Sequence, residues 1–132
     1  MIFATLLLAC VDGPGVADLA PVDTGAFYAE AEPVLAASCA NPSCHGTPER
    51  PLQVYAQYLH RADPALLWSD MELTAEEHAA NLARSRGMAA DGSLWRKPLA
   101  PERGGMRHEG GWRWSDTGDP SWRDLRRWAV AE

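Results

Sequence analysis

The chain has 132 residues, of which 46% are hydrophobic, and this is enough for one small domain with one core. Its formal net charge is −6, and no lysine or arginine occurs before Arg50. Because nucleic acids are bound through basic surfaces, this charge argues against a nucleic-acid-binding protein. The sequence contains no internal repeat and no low-complexity tract, so we expect a single folded domain.

The first ten residues, MIFATLLLAC, form a short apolar run that ends in a cysteine. The run is too short to span a bilayer but has the size of a signal-peptide core. Its end, Leu-Leu-Ala-Cys10, resembles the lipobox of bacterial lipoproteins, in which the cysteine is acylated. We therefore expect residues 1–9 to be a lipoprotein-type signal peptide and Cys10 to carry a membrane anchor. The usual basic residues before the run are absent, which indicates a true start upstream. The alternatives to a lipobox are an ordinary signal peptide and a loose apolar tail.

Residues 10–23 are rich in glycine, proline and aspartate, which predicts a flexible tether. Residues 24–132 are then the folded domain. A helix is predicted at its start, with Asp23 or Thr24 as N-cap and Pro33 as the site of a kink. The apolar residues that indicate this helix are Phe27, Ala31, Val34 and Leu35.

The stretch SCANPSCHG, residues 38–46, contains the other two cysteines, and His45 directly follows Cys44. In an exported protein Cys39 and Cys44 are candidates for a disulfide, but a disulfide gives His45 no role. The usual covalent haem signature is C-x-x-C-H, in which two thiols bind the haem vinyl groups and the histidine binds iron. Here the spacer has four residues instead of two. Its Asn-Pro-Ser sequence favours a turn that would keep both thiols within reach of one haem.

A zinc site is the other metal-binding interpretation of these residues. Zinc needs three or four ligands, which Cys39, Cys44 and His45 would supply together with His60, His78 or His108. Binding of adjacent Cys44 and His45 to one zinc ion is geometrically awkward. A hydrolase is poorly supported, because no Ser-His-Asp arrangement and no pair of catalytic carboxylates stands out. From the residues alone, haem, zinc and a disulfide all remain open.

Three further helices are indicated by their local patterns. Residues 51–61 place apolar side chains at helical spacing. Thr74 and Glu77 form a capping-box pattern, and the helix that they open is expected to stop at Gly87. Asp119 is a predicted N-cap with Pro120 at the first helical position. Strand signals are nearly absent, so we expect an all-α domain with long loops.

The sequence from Phe27 to Cys39 resembles the F-x-x-x-V-x-P-I-L-x-x-x-C helix of cytochrome c-like domains in exported bacterial proteins. The stretches SLWRKPL, GGMRHEGG and DPSWRDLRRWAVAE resemble, in the same order, the second half of those domains. The resemblance covers residues 25–48 and 91–131. It implies a fold in which the N- and C-terminal helices cross around one haem. The contacts that it implies join Phe27 and Leu35 to Leu125 and Trp128.

The same resemblance implies a set of haem-binding residues. Cys39 and Cys44 would form the thioethers, and His45 would be the proximal ligand of the iron. The glycine-flanked His108 matches the H-G-G-G pattern of the family and is the preferred distal ligand. Met106 is the alternative, by the common habit of c-type cytochromes. The other histidines and methionines of the domain are expected to have packing or surface roles: His60, His78, Met71 and Met88.

Aromatic and basic residues flank the expected distal ligand. Tryptophans at 95, 112 and 114 are expected to wall a haem crevice or to belong to the ordinary core. The basic residues Arg96, Lys97 and Arg103 are candidates for pairing with haem propionates.

The function that these expectations indicate is that of a monohaem c-type cytochrome, with haem c as cofactor. It would transfer single electrons to an unidentified redox partner protein, and its acidic surface would favour basic partners. We expect it to be an exported, membrane-anchored electron carrier that faces the periplasm or the cell exterior, not an enzyme. An open sixth position on the iron would instead indicate a haem enzyme. The alternative is a structural or interaction lipoprotein without haem, stabilised by a disulfide or zinc.

Overall fold

The computed structural model describes residues 23–130, so the expected signal peptide, Cys10 and nearly all of the tether lie outside the described part. The helices are α1 (Thr24–Ala26), a π-helical turn (Phe27–Ala31), α2 (Glu32–Cys39), α3 (Ala75–Ala89), α4 (Ser93–Arg96) and α5 (Pro120–Ala129), with 3₁₀ turns at Pro64–Leu66 and Pro101–Arg103. One isolated β-bridge joins Leu99 and Trp114. This part of the chain is all-α with long loops, as predicted. None of its helices has the length and apolar character needed to cross a membrane.

The N-terminal helix begins as predicted and contains an irregularity just before Pro33. The Asp23 carboxylate accepts a hydrogen bond from the Ala26 N–H at 2.8 Å and so caps the helix. The π-helical turn follows, and the N–H of Glu32 donates to the carbonyl of Phe27, five residues earlier. Because Pro33 has no N–H and its ring crowds the preceding turn, the wider turn lets the helix continue into α2.

Helix α3 opens on the predicted capping box. The Thr74 hydroxyl accepts from the Glu77 N–H, and the Glu77 carboxylate accepts from the Thr74 N–H. The prediction that the helix stops at Gly87 is wrong, because α3 continues to Ala89. Gly87 has a helical conformation with open space around it, and Ala89 is fully buried in the core. Packing beyond the glycine therefore outweighs its tendency to end a helix.

Helix α5 also begins as predicted, with Pro120 at its first position. The Asp119 carboxylate accepts hydrogen bonds from the N–H groups of Ser121 and Trp122, which have no partner within the helix.

The first and last helices pack against each other to form the centre of the core. The rings of Phe27 and Trp128 have centroids 4.8 Å apart, and Trp128 Nε1 donates to the Asp23 carbonyl at 3.2 Å. Phe27, Leu35, Leu125 and Trp128 are all buried in one hydrophobic cluster. The predicted packing of these four residues is confirmed in this respect.

The predicted helix at residues 51–61 is absent, and the prediction is wrong. The segment is irregular, and its backbone is bound by side chains from α3. The Tyr55 N–H donates to Asn81 Oδ1 at 2.9 Å, and Asn81 Nδ2 donates back to the Tyr55 carbonyl at 3.0 Å. Arg61, at the end of the segment, is buried against Glu77, with Nη2 and Oε2 2.8 Å apart. These tertiary hydrogen bonds satisfy backbone N–H and C=O groups that a helix would have bonded within itself.

Candidate functional site

The stretch from Cys39 to Gly46 folds back on itself directly after α2. The Asn41 carbonyl accepts from the N–H groups of Cys44 at 2.8 Å and Gly46 at 3.0 Å. The Asn41 side chain accepts from the Ser43 N–H at 2.9 Å, as in an Asx turn. The four-residue spacer therefore forms a turn, as predicted, and it carries both cysteines on one compact loop.

Gly46 allows the close approach that this loop requires. A Cβ atom at this position would lie 2.2 Å from the carbonyl oxygen of Ala40, which no side chain tolerates. The N–H of the preceding residue, His45, donates to the Cys39 carbonyl at 3.1 Å. The glycine thus fixes the direction in which the chain leaves His45.

His45 is held by one ring nitrogen and leaves the other nitrogen available. Its Nδ1 lies 2.7 Å from the Leu52 carbonyl oxygen. Because a carbonyl only accepts, Nδ1 donates, and Nε2 of the neutral ring keeps its lone pair for a ligand. Burial lowers the pKa of His45, and the nearby His108, Arg50 and Lys97 lower it further, while the bond to Leu52 opposes the change. The neutral form, which binds metals, is therefore favoured.

His108 has the same arrangement on the other side of the site. Its Nδ1 lies 2.8 Å from the Gly111 carbonyl oxygen and donates to it. Gly111 has a φ of +73°, in the left-handed region where glycine is favoured. The rings of His45 and His108 are nearly parallel, with an angle of 4° between their planes and centroids 5.9 Å apart. Two nearly parallel imidazoles, each anchored through Nδ1, thus lie close together.

A cavity of about 640 Å³ includes both histidines in its wall. Its volume lies in the range of small-molecule and cofactor sites. The wall also contains the two cysteines, four basic residues, one carboxylate, one methionine and one tryptophan: Cys39, Cys44, Arg50, Lys97, Arg107, Arg113, Glu109, Met88 and Trp112.

The two cysteines at this cavity are free thiols with different surroundings. Cys39 is half-buried at the end of α2, and Cys44 is exposed. Burial raises the pKa of Cys39 to about 12, against the opposing effect of Arg113, and Cys44 adds to the increase. Cys39 is therefore a weak nucleophile at neutral pH in this conformation.

The charge around the cavity has the opposite sign to that of the whole chain. Within the described range, no salt bridge joins any of its four basic side chains to an acidic one. Among the basic residues expected at a cofactor, Lys97 lines the cavity but Arg96 and Arg103 do not. The Arg96 side chain instead donates to the Gly104 carbonyl at 3.3 Å. Sequence reasoning missed the three other cations of the wall: Arg50, Arg107 and Arg113. Their nearness in sequence to His45 and His108 was the only available signal.

The alternative ligand residues have other places. Met106 is not part of the cavity wall, and its N–H donates to the Arg96 carbonyl at 2.8 Å. Met88, expected to be a filler, lines the cavity and also packs against the core. Met71 is exposed.

The two remaining histidines form polar contacts away from the cavity. His60 Nε2 lies 2.6 Å from the amide nitrogen of Gln53. His78, expected at the surface, is only partly exposed, and its Nδ1 lies 2.6 Å from a carboxylate oxygen of the buried Glu32. Neither residue is available to the cavity.

The three tryptophans near His108 divide between the two places expected for them, the wall of a crevice and the ordinary core. Trp112 lies in the cavity wall and is largely exposed. Trp95 and Trp114 are buried members of the hydrophobic core.

Within residues 23–130, no three histidine, cysteine, aspartate or glutamate side chains are grouped so that they could hold a metal ion. A zinc site built from the described side chains alone is therefore not formed. The chain matches no protein-family model, and the comparisons with curated proteins and with solved structures found no significant match.

Proposed function

We propose that this chain is a monohaem c-type cytochrome that transfers single electrons. The observation that carries the proposal is a pair of parallel, Nδ1-anchored imidazoles, His45 and His108, which lie close together at a cavity that also contains two free thiols. The same proposal includes a cytochrome c-like fold, which the packing of the first helix against α5 supports. It also includes export and a lipid anchor on Cys10.

The separation of the two rings is short enough for both imidazoles to hold one iron. Metal–nitrogen bonds are about 2 Å long and ring centres lie about 1 Å further out, so two imidazoles that would bind one metal need centroids no more than about 6 Å apart. The observed separation is 5.9 Å. Each ring donates its Nδ1 hydrogen to a carbonyl, which is the usual way in which a protein orients a metal-binding histidine.

The absence of a third ligand also supports haem over zinc. A porphyrin supplies four nitrogens to its iron, so two protein ligands complete the coordination. A zinc ion in a protein needs three or four ligands from the chain, and the described residues offer no such group.

The other residues of the cavity suit the remaining parts of a haem. Cys39 and Cys44 would form the two thioethers that hold the group covalently. Arg50, Lys97 and Arg113, which line the cavity, would neutralise the two propionates. Bound haem supplies a one-electron iron couple, and two histidine ligands leave no open position for oxygen chemistry. The role of the chain is then to exclude water, fix both imidazoles and set the charge around the group.

Expression of the chain together with a cytochrome c maturation system tests the proposal. We expect a pyridine haemochrome spectrum, with haem that stays on the protein after extraction with acidic acetone. A colourless product with a Cys39–Cys44 disulfide would contradict the proposal and favour the structural alternative. Elemental analysis for zinc on the same material separates out a metal site of another kind.

A pair of substitutions identifies the second ligand. His108→Ala is expected to abolish the low-spin spectrum of the iron, whereas Met106→Ala is expected to preserve it, because Met106 lies outside the cavity wall. The reverse result would identify Met106 as the second ligand of the iron. For the anchor, Cys10→Ser is expected to release the protein from membranes, and unchanged membrane partitioning would count against lipidation.

A further inference from the structure

Four large apolar side chains are exposed together on a segment that does not reach the cavity. Tyr58, Leu67, Trp68 and Met71 have exposed fractions of 62%, 40%, 62% and 57%, and we name them the aromatic ridge. Backbone bonds join the two stretches that carry them, from the Tyr58 N–H to the Ser69 carbonyl at 2.8 Å and from the Trp68 N–H to the Leu59 carbonyl at 3.3 Å. Clusters of exposed apolar side chains of this kind mark interaction sites.

Both aromatic residues of the ridge have an unfavourable backbone conformation. Tyr58 has a φ of +58° and Trp68 a φ of +65°, and no other non-glycine residue in the described range has a positive φ. Bulky residues rarely adopt this conformation, and they keep it only where the surrounding structure enforces it. The position of the two rings is therefore imposed by the fold.

The buried side chain of Arg61 holds the stretch of the chain that directly follows Trp68. Its guanidinium donates to the Met71 carbonyl at 2.8 Å, to the Glu72 carbonyl at 2.9 Å and to the Ser69 hydroxyl at 3.3 Å. Glu77 binds the same guanidinium from α3, with Nη2 and Oε2 2.8 Å apart. The ridge is thus a preorganised surface that rests on a rigid support.

The charge around the ridge is negative. Arg61 is the only lysine or arginine between residues 51 and 83, and it is buried. Exposed carboxylates, in contrast, lie within and beside the ridge: Asp63, Asp70, Glu72 and Glu76. The faces of tryptophan and tyrosine rings attract cations, so the rings and the carboxylates favour the same kind of ligand.

We propose that the aromatic ridge docks a basic protein surface, whose lysine or arginine side chains stack on Tyr58 and Trp68 and pair with the neighbouring carboxylates. Charge complementarity favours this partner over an anionic membrane surface, which the carboxylates repel. The inference goes beyond the proposed haem site. No residue of the ridge lines the cavity, so docking is measurable on the chain with or without haem, and its failure would leave the haem proposal untouched.

The first test removes the two rings and preserves the backbone. Glycine adopts a positive φ without strain, so the double variant Tyr58→Gly/Trp68→Gly is expected to fold. Its melting temperature should be close to that of the wild type. The probe is a fluorescein-labelled deca-arginine peptide, with binding followed by fluorescence anisotropy. We expect the double variant to bind about fivefold more weakly than the wild type, or weaker still. Unchanged affinity would overturn the proposal.

The second test separates the ridge from the net charge of the chain. Asp70→Asn/Glu72→Gln removes two charges at the ridge, and Glu102→Gln/Asp116→Asn removes two exposed charges elsewhere. We expect the first pair to weaken peptide binding about fivefold and the second pair by less than about twofold. Equal losses in the two double variants would show general attraction to an acidic protein and would overturn the proposal.

The same ring variant tests the other occupants that an exposed aromatic cluster can have. If the wild-type chain cosediments with phosphatidylcholine vesicles and the double glycine variant does not, the ridge binds a membrane. Self-association of the wild type in analytical ultracentrifugation, lost in the same variant, would assign it to a second copy. Either result would overturn the docking of a basic partner. A wild-type chain that stays monomeric and does not bind vesicles supports it.

Discussion

Two regions of the described molecule, one beside α3 and one around the cavity, differ in whether their charged side chains form ion pairs. Beside α3, the buried charges are paired: Arg61 with Glu77, and Glu32 with the side chains of His78 and Asn81. Around the cavity, no salt bridge joins the four cations to an acidic side chain in the described part of the chain, and the rings of His45 and His108 each keep one nitrogen without a hydrogen bond there. The charges beside α3 are buried, where an unpaired charge is costly, so their pairing stabilises the fold. Arg50, Arg107 and Arg113 are exposed and Lys97 is only half-buried, so water solvates these cations and they need no acidic partner in the chain.

The largest effect on stability is expected in the paired region, from Glu77→Gln. This substitution leaves the Arg61 guanidinium buried without its counter-charge and should lower the free energy of unfolding by about 3–5 kcal/mol. Urea denaturation measures the change. The matched control is Glu76→Gln, an exposed neighbour on the same helix, which should change the value by less than about 0.5 kcal/mol. Similar values for both variants would mean that the pair does not stabilise the fold.

Acid should weaken the same pair. Burial opposes ionisation of Glu77, but hydrogen bonds from Arg61 and from the backbone N–H groups of Thr74 and Ala62 outweigh it and lower its pKa to about 2, from the ordinary 4.5. A lowered pKa in the folded state stabilises the protein above pH 4.5, and this contribution disappears as the pH falls towards 2. Unfolding measured between pH 6 and pH 2 should therefore show a loss of stability in the wild type that Glu77→Gln lacks.

A smaller effect is expected at the start of α5. Asp119→Ala removes the acceptor of two backbone N–H groups and should cost about 1 kcal/mol of unfolding free energy. Asp119→Asn keeps an acceptor oxygen and should restore most of this loss. If both variants lose the same amount, the charge of Asp119, and not its role as a cap, would be what matters.

The smallest effect on stability is expected at the cavity, where Lys97→Gln should change the free energy of unfolding by less than about 0.5 kcal/mol. In the haem-loaded protein, however, this substitution should lower the reduction potential, because a nearby cation favours the reduced iron. Potentiometric titration measures the shift. The control is Arg123→Gln, on α5 and outside the cavity wall, which should leave the potential nearly unchanged. Equal shifts in both variants would contradict the assignment of the cavity cations.

The helix starts could be predicted from the sequence because their chemistry is local. Asp23, Thr74 and Asp119 each cap a helix through atoms within three residues of themselves. The conformation of residues 51–61 could not be predicted, since its backbone depends on Asn81, which lies 26 residues after Tyr55.

The candidate site also has features that could be predicted from the sequence and features that could not. The turn between Cys39 and Cys44 could be predicted from its Asn-Pro-Ser sequence. The meeting of His45 with His108 could not be derived from spacing, and only the resemblance to cytochrome c-like domains placed them together. The three additional arginines of the cavity wall lie in irregular loops, where no periodic pattern indicates which way a side chain points.

The π-helical turn before Pro33 affects the direction in which the side chain of Cys39 projects from the helix. Such a turn holds one residue more than a regular turn, and one residue corresponds to about 100° of rotation around a helix axis. One half of the helix packs on Trp128 and the other half ends in Cys39. The two halves are therefore rotated relative to each other by that angle about the helix axis. A straightened helix would keep Phe27 in the core and swing the sulfur of Cys39 around the cylinder. The π-helical turn thus sets the direction in which the Cys39 side chain leaves the helix relative to the face that packs on Trp128.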